Sequence, residues 1–379
     1  MFCVAIGAGI LPVYLTTFGE EFGGLGPAQL GLLPGVLFAG FVVGIVLSGP
    51  MADRFGARLF AVLGAAICAG GLAGAGLAPA YPLLVAAAGI LGLGAGVLDM
   101  LMSPIVAAVS TDRKASALNQ LHAYYSVGVV ASVVCGSVAL SLGVPWRATL
   151  LVLALLPALV AADFARAAFP ALVHPEQERH RLRRLLRMPR FHLALLMILL
   201  IGATEEGMSQ WLPAYLETAL GYSKPVAGYA LAAYAVAQAS GRFLGSTQIA
   251  ARIGPHRLLM LCAGASAACY LLAAWAPLPL IGALACMLTG FACSMLWPTH
   301  LGITSDRIPH GGASMFGVMA AAGNVGCVLA PWSEGIIAAR HGLNVALASG
   351  ALPPLLLLVL AAVLYWSKRR QAADGAGFA

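Results

Sequence analysis

Residues 96–113 read GVLDMLMSPIVAAVSTDR, and residues 290–307 read GFACSMLWPTHLGITSDR. Gly96, Pro104 and the closing Ser110, Thr111, Asp112, Arg113 return as Gly290, Pro298 and Thr304, Ser305, Asp306, Arg307, all at one displacement. A second echo sets Arg54, Phe55, Gly56 against Arg252, Ile253, Gly254 at nearly the same offset. Both echoes fall where apolar segments run into charged residues. The chain therefore reads as two related halves, the fourth apolar segment matching the tenth.

Working outward, 61% of the 379 residues are hydrophobic and only 9% are charged, more apolar side chain than one water-soluble core buries. Apolar runs of about 18 or more residues recur along nearly the whole length, each able to cross roughly 30 Å of hydrocarbon as a helix. A backbone in lipid must satisfy its own hydrogen bonds, and the runs lack the alternation of a membrane barrel. Breaks at charged or Pro/Gly clusters place spans near 1–19, 28–50, 59–78, 82–109, 116–142, 148–169, 191–216, 225–250, 257–276, 279–304, 312–338 and 343–366. The expected fold is an all-α membrane protein of twelve transmembrane helices in two pseudo-symmetric six-helix bundles. Its expected divisions are residues 1–170, a basic cytoplasmic linker 171–190, residues 191–370 and a tail 371–379.

Of the 21 Lys and Arg residues, only Arg147, Lys224 and Arg340 fall on the outer side if both termini are cytoplasmic, and Arg166 and Arg242 sit within spans. This bias orients the chain in a bacterial-type inner membrane, both termini cytoplasmic. The net charge of +7 is then explained by loops beside anionic lipid, with no nucleic-acid partner. The eight cysteines lie in apolar segments without close pairing and read as packing residues, so no metal or disulfide is expected. The opening run from Met1 to Phe18 is apolar without a charged leader, as expected of a first span and not a removable signal.

The run Gly49, Pro50, Met51, Ala52, Asp53, Arg54, Phe55, Gly56, Ala57, Arg58 resembles the loop signature of the major facilitator superfamily. The resemblance implies alternating access, with Asp53, Arg54 and Arg58 tuning a cytoplasmic gate. The stretch from Leu98 and Asp99 through Asn119, His122, Tyr125 and Gly128 resembles the fucose/proton symporter branch. So does Gly202 to Leu212, with Glu205 six residues before Trp211. The branch implies an acid in span four followed by an Asn and His pair in span five.

Charges at bilayer depth cost several kcal/mol unless they face a cavity or a partner. Asp99, His122, Asp163, Glu205, Glu206, Arg242, His300 and Glu334 are therefore the candidates. Asp163 and Arg166 read as a pair snorkelling at the end of span six. Asp99 lies about 20 Å of helical rise from Arg113, near mid-membrane, which makes it a candidate proton carrier. Its competing reading is a carboxylate held in a structural hydrogen bond. Glu205 and Glu206 point about 100° apart, so both cannot face one cavity equally, and Glu205 is the expected member. Arg242 reaches comparable depth, either binding solute or forming a structural ion pair with Glu205. Trp211, Trp297, Tyr125 and Tyr234 offer flat faces to a sugar ring, with packing as the alternative. Gln238 and Asn324 suit hydroxyl recognition or helix packing.

These residues compose a proton-coupled symporter for a sugar or related small polar solute, expected to be a monomer without cofactors. Asp99, assisted by His122 or Glu205, loads the proton, while Asn119, Arg242 and Trp211 hold the solute. A proton-antiporting exporter of an amphipathic metabolite, drug, lipid or siderophore uses the same acids. Absence of a nucleophile with its base, a metal-ligand spacing or a phosphate loop argues against an enzyme, and absence of a soluble output domain against a sensor.

Overall fold

A computed structural model describes residues 1–109, 114–170, 183–244, 249–308 and 312–376. The first half comprises α1 (Phe2–Val13), α2 (Leu15–Glu21), α3 (Pro27–Leu30), α4 (Leu32–Phe55), α5 (Ala57–Leu77), α6 (Tyr81–Val109), α7 (Lys114–Ser141) and α8 (Trp146–Phe164). The second comprises α9 (Pro189–Thr218), α10 (Lys224–Leu244), α11 (Ala250–Ile253), α12 (Pro255–Trp275), α13 (Pro279–Ser294), α14 (Leu296–Arg307), α15 (Gly312–His341), α16 (Leu343–Ser349) and α17 (Leu352–Ala376). Among the described residues, ten helices are long and apolar enough to cross a membrane, or eleven when α1 and α2 count as one span. The twelfth expected span is α10, a full-length helix made less apolar by Gln238, Ser240 and Arg242.

The first span bends by 57° between α1 and α2. Pro12 has no N–H to continue the ladder, so the carbonyl of Ala8 loses its helical donor. Gln210 of α9 fills that vacancy from the other half of the protein, its Nε2 3.2 Å from the Ala8 oxygen. Tyr14, at the bend, is fully buried and donates its hydroxyl toward Gly136 O and Thr149 Oγ1.

Packing pairs repeat between the halves. In the first, α1 packs on α7, α4 on α6, α5 on α6 and α5 on α8; in the second, α9 packs on α15, α10 on α13, α12 on α13 and α12 on α17. The repeated glycines explain one such pair: a Cβ at Gly96 would strike the Phe41 carbonyl of α4, and one at Gly290 the Tyr234 carbonyl of α10. Only glycine lets these backbones meet so closely. The two halves join through α4 against α15 and α7 against α10.

The signature run is mostly helix, a correction to its reading as a loop. Helix α4 continues to Phe55, and Gly56 alone, at φ +95°, turns the chain into α5. Gly254, at φ +84°, makes the same turn into α12, which accounts for the second echo. A left-handed φ is costly for any residue but glycine.

Candidate functional site

Arg242 on α10 and Glu205 on α9 form an ion pair, Nη2 to Oε2 at 3.0 Å, with side chains 28% and 8% exposed. Glu205 Oε1 is buried and has no hydrogen-bond partner. The backbone beneath is held from α10, where Tyr234 donates its hydroxyl to the Glu205 carbonyl at 3.0 Å. Tyr234 is 2% exposed, so it supports the site from behind and its ring faces no central space.

Glu206 turns the other way, toward the first half. Its Oε2 accepts from Ser209 Oγ at 2.7 Å and from Gln210 Nε2 at 2.8 Å. The same Gln210 nitrogen reaches Ala8, so a carboxylate of one bundle is wired to the backbone of the other through one amide. Tyr125 of α7 stands where the two halves' charges meet. Its hydroxyl lies within electrostatic reach of Asp99, Glu206 and Arg242. Asp99, on α6, is half-buried. The cleft that Tyr125 lines with Ala8, Phe38 and Leu91 holds about 10 Å³, the room of one water.

The remaining expected residues divide. Trp211 is 2% exposed, donates Nε1 to the Pro331 carbonyl at 2.9 Å and packs its ring against Gly31 and Gly335 where α4's entry meets α15. In this conformation it packs at the crossing of the two halves. Trp297 is half-buried with its ring over Gly323. Asn324 spends its amide on Ala320 O, one turn back at 2.9 Å, and Gln238 is half-buried on α10. His300 is buried against the Ala194 carbonyl, a packing role. The side chains of Asp53, Asn119 and His122 lie outside the described residues. Of the expected gate, Arg58 donates to the Ala165 carbonyl at the end of α8, and Arg54 lies over the Phe55 ring. Both contacts stay within the first bundle.

Sequence reasoning weighed Glu206 but favoured Glu205, and it passed over Gln210. The available signal was their spacing: Ser209 and Gln210 at i+3 and i+4 are the positions that fold back onto a carboxylate on the same helix face.

At the end of the molecule opposite Arg54 and Arg58, the halves are tied together. Thr16 Oγ1 donates to Glu217 at 2.5 Å, and Lys224 pairs with Glu20 at 2.5 Å and with Thr17 Oγ1 at 3.2 Å. Glu20 is 70% exposed, so Lys224→Ala is expected to cost less than about 1 kcal/mol of stability. Its signature is faster backbone hydrogen exchange over residues 27–35, read by mass spectrometry; unchanged exchange there would mean the tie does not hold the halves shut.

Two matching helical bundles with acids from both sides around one tyrosine at their junction define a multi-pass membrane transporter. The chain belongs to the Major Facilitator Superfamily, whose family model matches residues 1–227 and 212–378. Among solved structures, the nucleoside transporter NupG aligns over 96% of this chain and 98% of its own, at TM-score 0.79 and 15% identity. The fucose:proton symporter FucP of E. coli aligns over 96% of each chain, at TM-score 0.66 and 20% identity. A D-xylose-proton symporter aligns over 95% and 93%, at TM-score 0.74 and 17% identity. At these identities the likeness is one of fold. No curated protein matches the sequence.

Proposed function

We propose that the protein is a proton-coupled transporter of a small, hydroxyl-rich solute, a sugar or nucleoside, working by alternating access in a bacterial-type inner membrane with both termini cytoplasmic. The observation that carries this reading is the Arg242–Glu205 pair, with Glu205 Oε1 left as a buried, unsatisfied acceptor beside it. A buried acceptor without a donor is costly, and a solute hydroxyl supplies the donor. Tyr125, Gln238, Trp297 and Asn324 line the approach, joined by Asn119, and Arg242 holds a second solute oxygen. Asp99 and Glu206, one from each bundle, carry the proton, with His122 as relay. Residues 1–170 and 191–370 move as the two bodies, with the linker 171–190 and the turn at Asp53, Arg54 and Arg58 on the cytoplasmic side. The likeness to sugar and nucleoside transporters in fold supports this solute class.

Uptake of radiolabelled uridine, D-xylose and L-fucose into proteoliposomes under an imposed pH gradient is the test. One of the three is expected to accumulate, and accumulation is expected to vanish with a protonophore. Gradient-insensitive uptake removes the proton assignment, and counterflow favouring efflux would instead support the exporter reading. Glu206→Gln is expected to lower gradient-driven uptake by roughly tenfold or more, a hydrogen bond to a charged group being worth about 1.5–3 kcal/mol, while solute counterflow persists. Equal loss of both would make Glu206 a binding residue and not a coupling one.

A further inference from the structure

Glu334 on α15 takes no part in the site described above. It is 3% exposed, its Oε2 is buried without a hydrogen-bond partner, and none of the ion pairs among the described residues includes it. The protein is shaped around this carboxyl. A Cβ at Gly207 of α9 would come within 2.6 Å of Oε1, and one at Gly350, between α16 and α17, within 2.7 Å. Trp211 and Tyr215 of α9 close one side, and apolar residues of α16 close another.

The titratable groups facing it are Tyr215 from α9 and Tyr270 from α12. Tyr215 donates its hydroxyl to the Ala273 carbonyl and Tyr270 to the Thr204 carbonyl, each at 2.8 Å, so neither donates to Glu334. From α16, the apolar Leu343, Ala346 and Leu347 line the same cavity. Among the described residues no counter-charge or hydrogen-bond donor meets a carboxylate in this socket, and burying it so costs several kcal/mol.

Its next neighbour, Gly335, touches Gly31 of the other half, and the Trp211 ring covers that crossing and the Glu334 socket together. On the alternating-access reading, parting the bundles at the Lys224 end would take Gly31 away from one face of that ring and open the wall to water. We propose that Glu334 is a second proton-binding site, distinct from Asp99 and Glu206, which exchanges its proton with water only when the Lys224 end is open. The step breaks the carboxyl O–H bond and passes the proton to water, and the reverse step reloads it. This inference rests on the alternating-access reading for its timing.

Infrared difference spectroscopy of the purified protein in lipid nanodiscs tests it. Wild-type protein is expected to show the C=O stretch of an unbonded neutral carboxyl at the high-frequency end of the acid range. Glu334→Gln is expected to lose that band, and Glu334→Asp to shift it, which keeps the test available should the first variant fold poorly. Transfer into heavy water is expected to shift the wild-type band slowly, and much faster when Lys224→Ala and Thr16→Ala loosen the outer tie. A band unchanged in Glu334→Gln overturns the site, and exchange indifferent to the loosened tie overturns its gating. The band needs no solute, so a protein that transports nothing yet shows it would sink the transport reading and leave the proton site standing.

Discussion

Arg242→Ala is expected to destabilise the protein by about 3–5 kcal/mol and to abolish solute accumulation, because it strands a buried carboxylate. Glu205 is 8% exposed and has one oxygen on Arg242, the other on nothing. Adding Glu205→Gln removes the stranded charge. The double variant is therefore expected to regain most of the lost melting temperature while accumulation stays absent. Thermal melting of the four proteins in nanodiscs closes the cycle, and strictly additive losses would mean that the two residues do not act as one unit.

Gly92→Val is expected to prevent correct packing of the first bundle. A Cβ there would strike the Leu37 carbonyl of α4, a main-chain atom that cannot turn aside as a side chain would. The cost is about 3 kcal/mol, the upper end for overpacking a core, and it appears as loss of monodisperse protein on size-exclusion chromatography. Gly70→Ala in α5 is the control. Nothing lies within 4 Å of its Cβ position, so the change is expected to be neutral or to gain roughly 0.5–1 kcal/mol of helix propensity. A well-behaved Gly92→Val protein would mean that α4 and α6 do not approach as closely as described.

The architecture was legible because lipid leaves a backbone few choices. Apolar runs of spanning length must be helices, and the echo of Gly96 in Gly290 marks two places where a helix axis meets a neighbouring carbonyl. Less legible was everything decided by which face of a helix meets which neighbour. Tyr234 and Trp211 were candidates by residue type, yet one braces the Glu205 backbone and the other fastens the α3–α4 entry to Pro331. Glu206 lost to Glu205 because helical geometry separates adjacent residues without saying which faces the seam. The structure assigns them both, one to Arg242 and one to Gln210. The bend at Tyr14 was hidden because Pro12 sits in a run that is otherwise uniformly apolar. The vacancy it leaves at Ala8 is filled by a residue some two hundred positions away in the chain.

The polar character of α10 bears on how the protein is made. Arg242 sits in the last turn of Lys224–Leu244, a helix made less apolar by Gln238, Ser240 and Arg242, and a charge within a span adds to the cost of moving that helix alone into lipid. Glu205 emerges from the ribosome earlier, on α9, so the acid is already in place when the guanidinium arrives. Joint entry of α9 and α10 into the bilayer is the expected consequence, and a nascent chain lacking α9 is expected to insert α10 less efficiently in a glycosylation-mapping assay.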